Sequence, residues 1–328
     1  MGKKDGDLYG MREVLGRTAG LRAKRMVVVC PYDGATLESA TRAGAMGFVE
    51  PVLLGDEKVI RRSAEETGVN LAGFTVAGAR EDEVLERAGA MLLQKSAHCI
   101  MKGMVGTGKF IHVLLDPKWE IRTERILSHV GLLEIPGSKR LFLMTDGALN
   151  ILPNFTRKIQ IVSNAVSAAR KIGMEAIRVA MLAAVEKVTL PAMPATLDAF
   201  LMKKYAETGY FDEAGGVRGT DLARGSDLAR GSDLAHVLID GPLAFDNAID
   251  PEKAQAKGIG GRVAGRANVV VVPNVETGNV IWKSVTCLER RGAAGVVLGG
   301  RCPIVVPSRS DDTDTKFLSI QFARLLLD

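Results

Sequence analysis

Short apolar runs alternate with segments of helical period along most of the chain. MVVVC (26–30), FVEPVLLGD (48–56), HCIMK (98–102), RVAMLAAV (178–185), HVLID (236–240), ANVVVVP (267–273) and GVVLGG (295–300) are of strand length. Between them lie ESATRAGAMG (38–47), EDEVLERAGAMLLQ (81–94) and RKIQIVSNAVSAARKIG (157–173), which read as helices. In the second of these, Val84, Leu85, Ala88 and Met91 share one helical face. The third closes on a glycine, a stop signal. Continuous apolar strands bounded by Gly and Asp and separated by helices predict largely parallel α/β sheets covered on both faces. Ligands of such sheets sit beyond the carboxyl ends of strands, so polar residues just after strands are the candidates for chemistry.

One segment breaks this pattern. Residues 218–235 read RGTDLA, RGSDLA, RGSDLA, a repeat that matches neither the helical nor the strand period. On a helix Leu222, Leu228 and Leu234 would point in different directions, and so few copies cannot bury a solenoid core. The segment reads as a tandem expansion in a surface loop.

Composition narrows the class. At 328 residues, the length suits about two domains. Hydrophobic residues at 47% and charged residues at 25% exclude a disordered chain, and aromatics at 5% argue against a base-stacking nucleic-acid binder. The net charge of +5 suits small anionic ligands and equally suits a plain solvated surface. Cys30, Cys99, Cys287 and Cys302 form no CxxC pair, so neither a zinc site nor a disulfide framework is expected, and a reduced cytoplasm is the natural compartment. No stretch approaches the about 18 apolar residues of a membrane span, and the N-terminus lacks the apolar core of a signal peptide.

Two segments carry candidate chemistry. GMVGTGK (103–109) follows a predicted strand and leads into the apolar FIHVLL, which fits the GxxxxGK phosphate cradle. The next residue should be Ser or Thr to hold Mg²⁺, and it is Phe110. The glycines and helix start still favour an anion, with Lys102 or Lys109 nearby. Further on, PNVETGN (273–279) forms a polar turn after a strand, bringing Glu276, Gly278 and Asn279 before Trp282 and Lys283. In CPIVVPSRSDDTDTK (302–316), Ser308 and Arg309 end an apolar run, and Asp311, Asp312 and Asp314 favour the helix start that follows. A purely architectural alternative makes Asp311 the helix cap and Arg309 a partner for these acids.

The motifs MKGMVGT (101–107), IRT…LSHV (121–130), VEKVTLPAMPATLDA (185–199), DGPLAFD (240–246), VAGRAN (263–268), PNVETGN and SRSDDTDTK…SI (308–320) run in one order across residues 26–323. Through them the chain resembles the phosphate acetyl/butyryltransferase family, nearest its phosphate butyryltransferase branch. The resemblance implies two α/β domains with a cleft between them, similar to the isocitrate/isopropylmalate dehydrogenase architecture. Domain I would comprise 1–126 and 295–328, and domain II 127–294. The implied reaction joins acyl-CoA and inorganic phosphate to give acyl phosphate and CoA. It needs no metal and no cofactor, with CoA as substrate. A homo-oligomer, a dimer or higher, is implied by the family, as is a cytoplasmic enzyme with no nucleic-acid or membrane partner.

The resemblance also assigns roles. Ser308 matches the active-site serine, expected to hydrogen-bond the thioester or thiol sulfur without forming an acyl-enzyme, and Arg309 matches the arginine that follows it. Acetyltransferase relatives carry an aspartate seven residues after the serine as the proposed base; Thr315 stands there, which leaves Asp311 and Asp314 as candidates. Relatives carry arginine where this chain has His112, and Lys109 or Arg122 would supply the charge. Lys102, Gly103, Thr107, Ser128, His129 and Thr196 fall in matching blocks as substrate contacts, and Lys257 and Lys283 are candidates for CoA phosphates. The resemblance points to butyryl or a similar short chain as the acyl group, and three other readings compete: a phosphate acetyltransferase of the same family, a P-loop phosphotransferase using ATP, and a non-catalytic CoA-binding protein of this fold.

Overall fold

A computed structural model describes residues 10–135, 140–211, 237–288 and 292–327. The hexapeptide repeat at 218–235 lies outside these residues. The described strands are β1 (Lys24–Val29), β2 (Val49–Gly55), β3 (Thr75–Gly78), β4 (Cys99–Lys102), β5 (Ser128–Glu134), β6 (Leu141–Thr145), β7 (Ile177–Leu182), β8 (Val237–Leu243), β9 (Val269–Val271), β10 (Ala293–Leu298) and β11 (Ile304–Val305). The chain divides into two compact units, Gly10–Pro136 with Ser284–Asp328, and a second that holds Gly137–Lys283.

In the first unit the strand order is β3-β2-β1-β4-β11-β10-β5. The ladders from β3 to β11 are parallel, as the apolar runs predict. The exception in this largely parallel sheet is β10, which is antiparallel to both β11 and β5. Only residues 299–303 separate β10 from β11, and so short a link returns the chain antiparallel because a parallel crossover needs a dozen residues or more. From β1 the chain moves outward to β2 and β3, and β4 then lies on the other side of β1. The carboxyl ends of β1 and β4 therefore form a topological switch point, where an α/β sheet opens a crevice.

Two helices reach that edge. Gly34–Ala45 begins at Asp33, whose carboxylate accepts from the Thr36 amide at 2.9 Å and the Thr36 hydroxyl at 2.6 Å, a standard N-cap. Thr313–Leu325 is capped by Asp312, which accepts from the Thr315 amide at 2.8 Å. From Thr315 to Leu325 every residue of this helix is buried, Lys316, Gln321 and Arg324 among them. The Arg324 guanidinium bonds the Arg22 carbonyl at 2.6 and 3.1 Å, which meets the requirement that a buried cation be hydrogen-bonded.

The second unit carries the all-parallel order β6-β9-β7-β8. Its helix Phe155–Lys171 starts two residues before the predicted one, because Asn154 accepts from the Arg157 amide at 3.0 Å. The chain leaves it through Gly173 at φ 83°, a left-handed position that favours glycine. Lys158 of this helix pairs with Asp198 of the helix Pro194–Ala206 at 2.7 Å. Among the described residues no helix is long and apolar enough to cross a membrane.

Candidate active site

At the switch point β1, β4 and β11 end side by side, with Val29 opposite Lys102 and Met101 opposite Val305. Cys30 follows β1 in a left-handed conformation, φ 50°, unusual for a residue with a side chain. Its carbonyl accepts from the amides of Tyr32 and Met104, both at 2.8 Å, and Val29 O accepts from Gly103 N at 2.8 Å. A Cβ on Gly103 would lie 2.3 Å from Cys30 O and 2.6 Å from Val29 O. Glycine is required there by this close backbone approach.

These bonds alter the reading of GMVGTGK. The amides of Gly103, Met104 and Val105 all bond protein carbonyls, whereas a nucleotide cradle aims such amides at phosphate. Together with Phe110, which is fully buried, this disfavours the P-loop alternative. What stays open is the start of the helix Thr107–Leu114. Gly106 precedes it in extended conformation without a side-chain cap, and Thr107 and Lys109 are exposed.

The cations of this edge differ in their partners. Lys102 is 3% exposed, and its ammonium donates to Gly103 O at 3.1 Å and Val105 O at 3.4 Å. Among the described residues no carboxylate pairs with it. Burial depresses its pKa below the usual lysine value, and the positive charges of Arg309 and Lys316 push it down further, while Asp33 and Asp311 oppose the shift. Lys316 is equally buried but is ion-paired to Asp33 at 2.9 Å. Burial raises the Asp33 pKa, and the bonds from Thr36 and Lys316 outweigh it and leave the carboxyl below its ordinary value. Arg309 is exposed and has no hydrogen bond or ion pair among the described residues.

Ser308 and Arg309 sit on a turn built by their neighbours. The Ser308 amide donates to Asp311 Oδ2 at 2.8 Å, and the Ser308 hydroxyl meets the Ser310 hydroxyl at 3.0 Å. Asp311 therefore closes the turn, and the helix cap is Asp312. The architectural alternative for Arg309 also fails, since it pairs with none of these acids. Asp314 is salt-bridged to Arg42 at 2.6 Å. Both candidate bases thus have structural partners. No histidine among the described residues bonds the Ser308 hydroxyl, so no covalent triad is assembled there.

Other predicted residues lie elsewhere. Ser128 and His129 are buried at the start of β5, opposite Leu298 and Val297 of β10. They are three strands, about 14 Å, from β4 and below its carboxyl edge. Arg122 is exposed beside Ile121, whose carbonyl accepts from Arg301 in the β10–β11 turn; this is the opposite edge of the sheet from Lys102. That far edge also carries a pocket of about 500 Å³ lined by Leu92, His98, Trp119, Ile121, Arg301 and Leu327 among others. His112 is exposed in the last turn of its helix, near Asp116, whose carboxyl is lowered chiefly by the Lys118 amide and ammonium and least by His112.

In the second unit the Thr196 hydroxyl, fully buried, accepts from Thr189 N at 2.9 Å and donates to Met193 O at 2.7 Å. It ties the 189–196 loop. Gly278 allows close packing, since a Cβ there would lie 2.5 Å from the Gly147 Cα. Asn274 caps the helix Val275–Lys283 by accepting from the Thr277 amide and hydroxyl at 2.9 and 2.8 Å, which leaves Glu276 and Asn279 exposed on its first turns and Lys283 half-buried at its end. Lys257 is paired with Asp246 at 2.9 Å and Glu186 at 3.6 Å.

Sequence reasoning missed a long-range ion pair and a buried acid. Asp33 and Lys316 lie 283 residues apart in the chain, and nothing local marks them as partners. Asp146, 2% exposed, accepts from the amides of Ala148, Leu149 and Asn150 and from the Asn150 side chain. The TDGALN segment after β6 carries an Asp-Gly turn signal that would have pointed to it.

The fold and the first unit's edge define a class: an α/β protein with two cations, Lys102 and Arg309, that no carboxylate pairs among the described residues, near where its strand order reverses. Comparison then gives the family. The model of phosphate acetyl/butaryl transferase matches residues 86–199 and 221–323, and this chain belongs to that family. It is 36% identical over 300 residues to a phosphate acetyltransferase of Rhizobium meliloti, spanning 91% of this chain and 87% of the relative. It is 32% identical over 322 residues to a phosphate butyryltransferase of Clostridium acetobutylicum, spanning 97% and 98%. The crystal structure of a branched-chain phosphotransacylase from Enterococcus faecalis V583 superposes with a TM-score of 0.75 at 24% identity, covering 93% of this chain and 99% of that one, and so shares its fold.

Proposed function

We propose that this chain is an acyltransferase that moves a short acyl group, butyryl or one of similar length, between coenzyme A and inorganic phosphate. The attack is direct, within a ternary complex, and uses no metal or bound cofactor. The observation that carries this reading is Arg309, an exposed guanidinium without a partner among the described residues, next to Ser308 at the switch point of the sheet. Both substrates are anionic, and a planar guanidinium binds phosphate through two parallel bonds. In this reading the Ser308 hydroxyl donates to the thioester oxygen or to the sulfur as negative charge develops. Membership of the family supports the same reaction, since its named relatives are phosphate acetyl- and butyryltransferases.

The test is thiol release from acetyl-, propionyl- and butyryl-CoA with and without phosphate, repeated in EDTA. Phosphate-dependent release that persists in EDTA and is fastest with a short chain longer than acetyl is expected. Binding of CoA with no phosphate-dependent turnover would overturn the reading in favour of a CoA-binding protein. Loss in EDTA with rescue by Mg²⁺ would overturn the metal-free mechanism.

A further inference from the structure

We propose that Lys102 carries the proton exchanged between phosphate and the CoA thiol. This rests on the acyl-transfer reading above and names the proton carrier that reading lacks. The reaction itself demands one: HPO₄²⁻ and RCO–SCoA become RCO–OPO₃²⁻ and HS–CoA, so a proton leaves a phosphate oxygen and ends on sulfur. The Lys102 amine takes that proton as the phosphate oxygen bonds to the carbonyl carbon. The tetrahedral intermediate then collapses, the C–S bond breaks with its electron pair on sulfur, and the Lys102 ammonium protonates the thiolate. In reverse the amine takes the thiol proton, sulfur attacks the acyl phosphate, and the ammonium protonates the departing phosphate. The amine is the active form in both directions and is restored each turn.

Three observations lead to this residue. First, Lys102 ends β4 at the switch point, between the ends of β1 and β11, and β11 runs on into Ser308 and Arg309. Second, among the described residues its nitrogen is held by two backbone carbonyls alone, with one N–H left over and no carboxylate to fix it as a cation. The charged groups that act on it are Arg309, Lys316, Asp33 and Asp311. Asp33 is bound to Lys316, and the neighbouring Cys30 thiol is held protonated by burial. Third, the nearby carboxylates have other partners: Asp311 on the Ser308 amide, Asp312 on the Thr315 amide, Asp314 on Arg42. Burial together with two like charges disfavours the ammonium form, which is how enzymes make a lysine serve as a base.

The experiment compares the full-length parent with Lys102→Arg and Lys102→Ala. For the parent, kcat/KM is expected to rise with pH through one ionisation below the ordinary lysine value of 10.5, identically in both directions. Lys102→Arg keeps charge and reach but cannot lose its proton; it should fall about a hundred-fold or more, the usual scale of general acid–base catalysis, and lose the pH rise. Lys102→Ala should fall similarly and recover in methylamine or ethylamine according to amine basicity, with CoA binding by calorimetry retained. Near-parental activity and an unchanged pH rise in Lys102→Arg would overturn the proposal. So would an alanine variant that melts like the parent but gains nothing from any amine, since that is the behaviour of a loop tether. A parent without phosphate-dependent CoA release would instead overturn the acyl-transfer reading itself.

Discussion

Lys102 and Lys158 are both lysines that are 3% exposed, and they face opposite kinds of surroundings. Lys158 is ion-paired to Asp198 at 2.7 Å and ties two helices of the second unit. Lys102 has only carbonyl oxygens, with Arg309 and Lys316 as like charges nearby. A buried cation costs free energy unless paired. Where a carboxylate supplies the pair, the lysine serves architecture. Where none does, burial and like charges disfavour the charged form of the lysine instead. The same contrast separates Lys257, paired twice at the end of a short helix, from Arg309, which has no partner among the described residues.

The largest expected effect tests this contrast through stability. Lys158→Met should lower the unfolding free energy by about 3 kcal/mol, because it strands Asp198. Lys102→Met should cost only about 1 kcal/mol, since relief of burial offsets two lost bonds to carbonyls. Urea unfolding of both variants measures it, and equal losses would erase the distinction. Next comes Arg309→Ala, which should lose a charge-assisted contact of about 1.5–3 kcal/mol, seen as a ten- to hundred-fold drop in kcat/KM for phosphate with melting unchanged. Arg309→Lys should restore it incompletely, because a point charge does not reproduce the guanidinium fork.

A smaller effect concerns the loop that carries Lys102. Gly103→Ala should destabilise by about 1–3 kcal/mol, as its Cβ would press on two carbonyl oxygens. Gly108→Ala, in the same loop-helix segment with no atom within 4 Å of the added carbon, should instead stabilise by about 0.5–1 kcal/mol. Thermal melting of the pair distinguishes them by sign. The smallest effect is that of pH on the Asp33–Lys316 pair. The Asp33 carboxyl titrates below its ordinary 3.8 in the folded chain, so between the two values the unfolded chain binds more protons. The pair's contribution is complete above 3.8 and disappears as pH falls through the folded value. The difference in melting temperature between the parent and Asp33→Asn should therefore shrink as the pH is lowered below 3.8, and a gap that stays constant with pH would show that the charge of Asp33 adds nothing.

Much of the fold was legible because buried parallel strands are continuous β-branched runs. MVVVC became β1 and its following turn, HCIMK became β4, and the helix read at 81–94 is Val84–Leu93. Ser308, Arg309 and Lys102 were also legible, since each directly follows or ends an apolar run. Ser128 and His129 are candidates only through the matching LSHV block, where an interior histidine is an equal reading of His129. They open β5, which after two antiparallel steps runs parallel to β4, so they lie toward the amino edge of the sheet, and the direction of a ladder is not written in the local pattern. Asp311 and Asp314 showed as acids at a helix start; which of them closes a turn and which meets Arg42, 272 residues away in the chain, is a matter of distant packing.

Local order in this chain follows from local physics. Apolar runs make strands, Asp and Asn start helices at 33, 154 and 312, and Gly103 and Gly278 mark places where backbones must meet closely. The motif order was enough to place the chain in its family. The sheet order was not, because strand neighbours are chosen by long-range burial, and it is that order which puts β4 beside β1 and opens the switch point. Only tertiary packing, too, decided which charges are neutralised. Lysines 102, 158 and 316 are alike as letters, and a carboxylate from a distant segment reaches the last two but not the first.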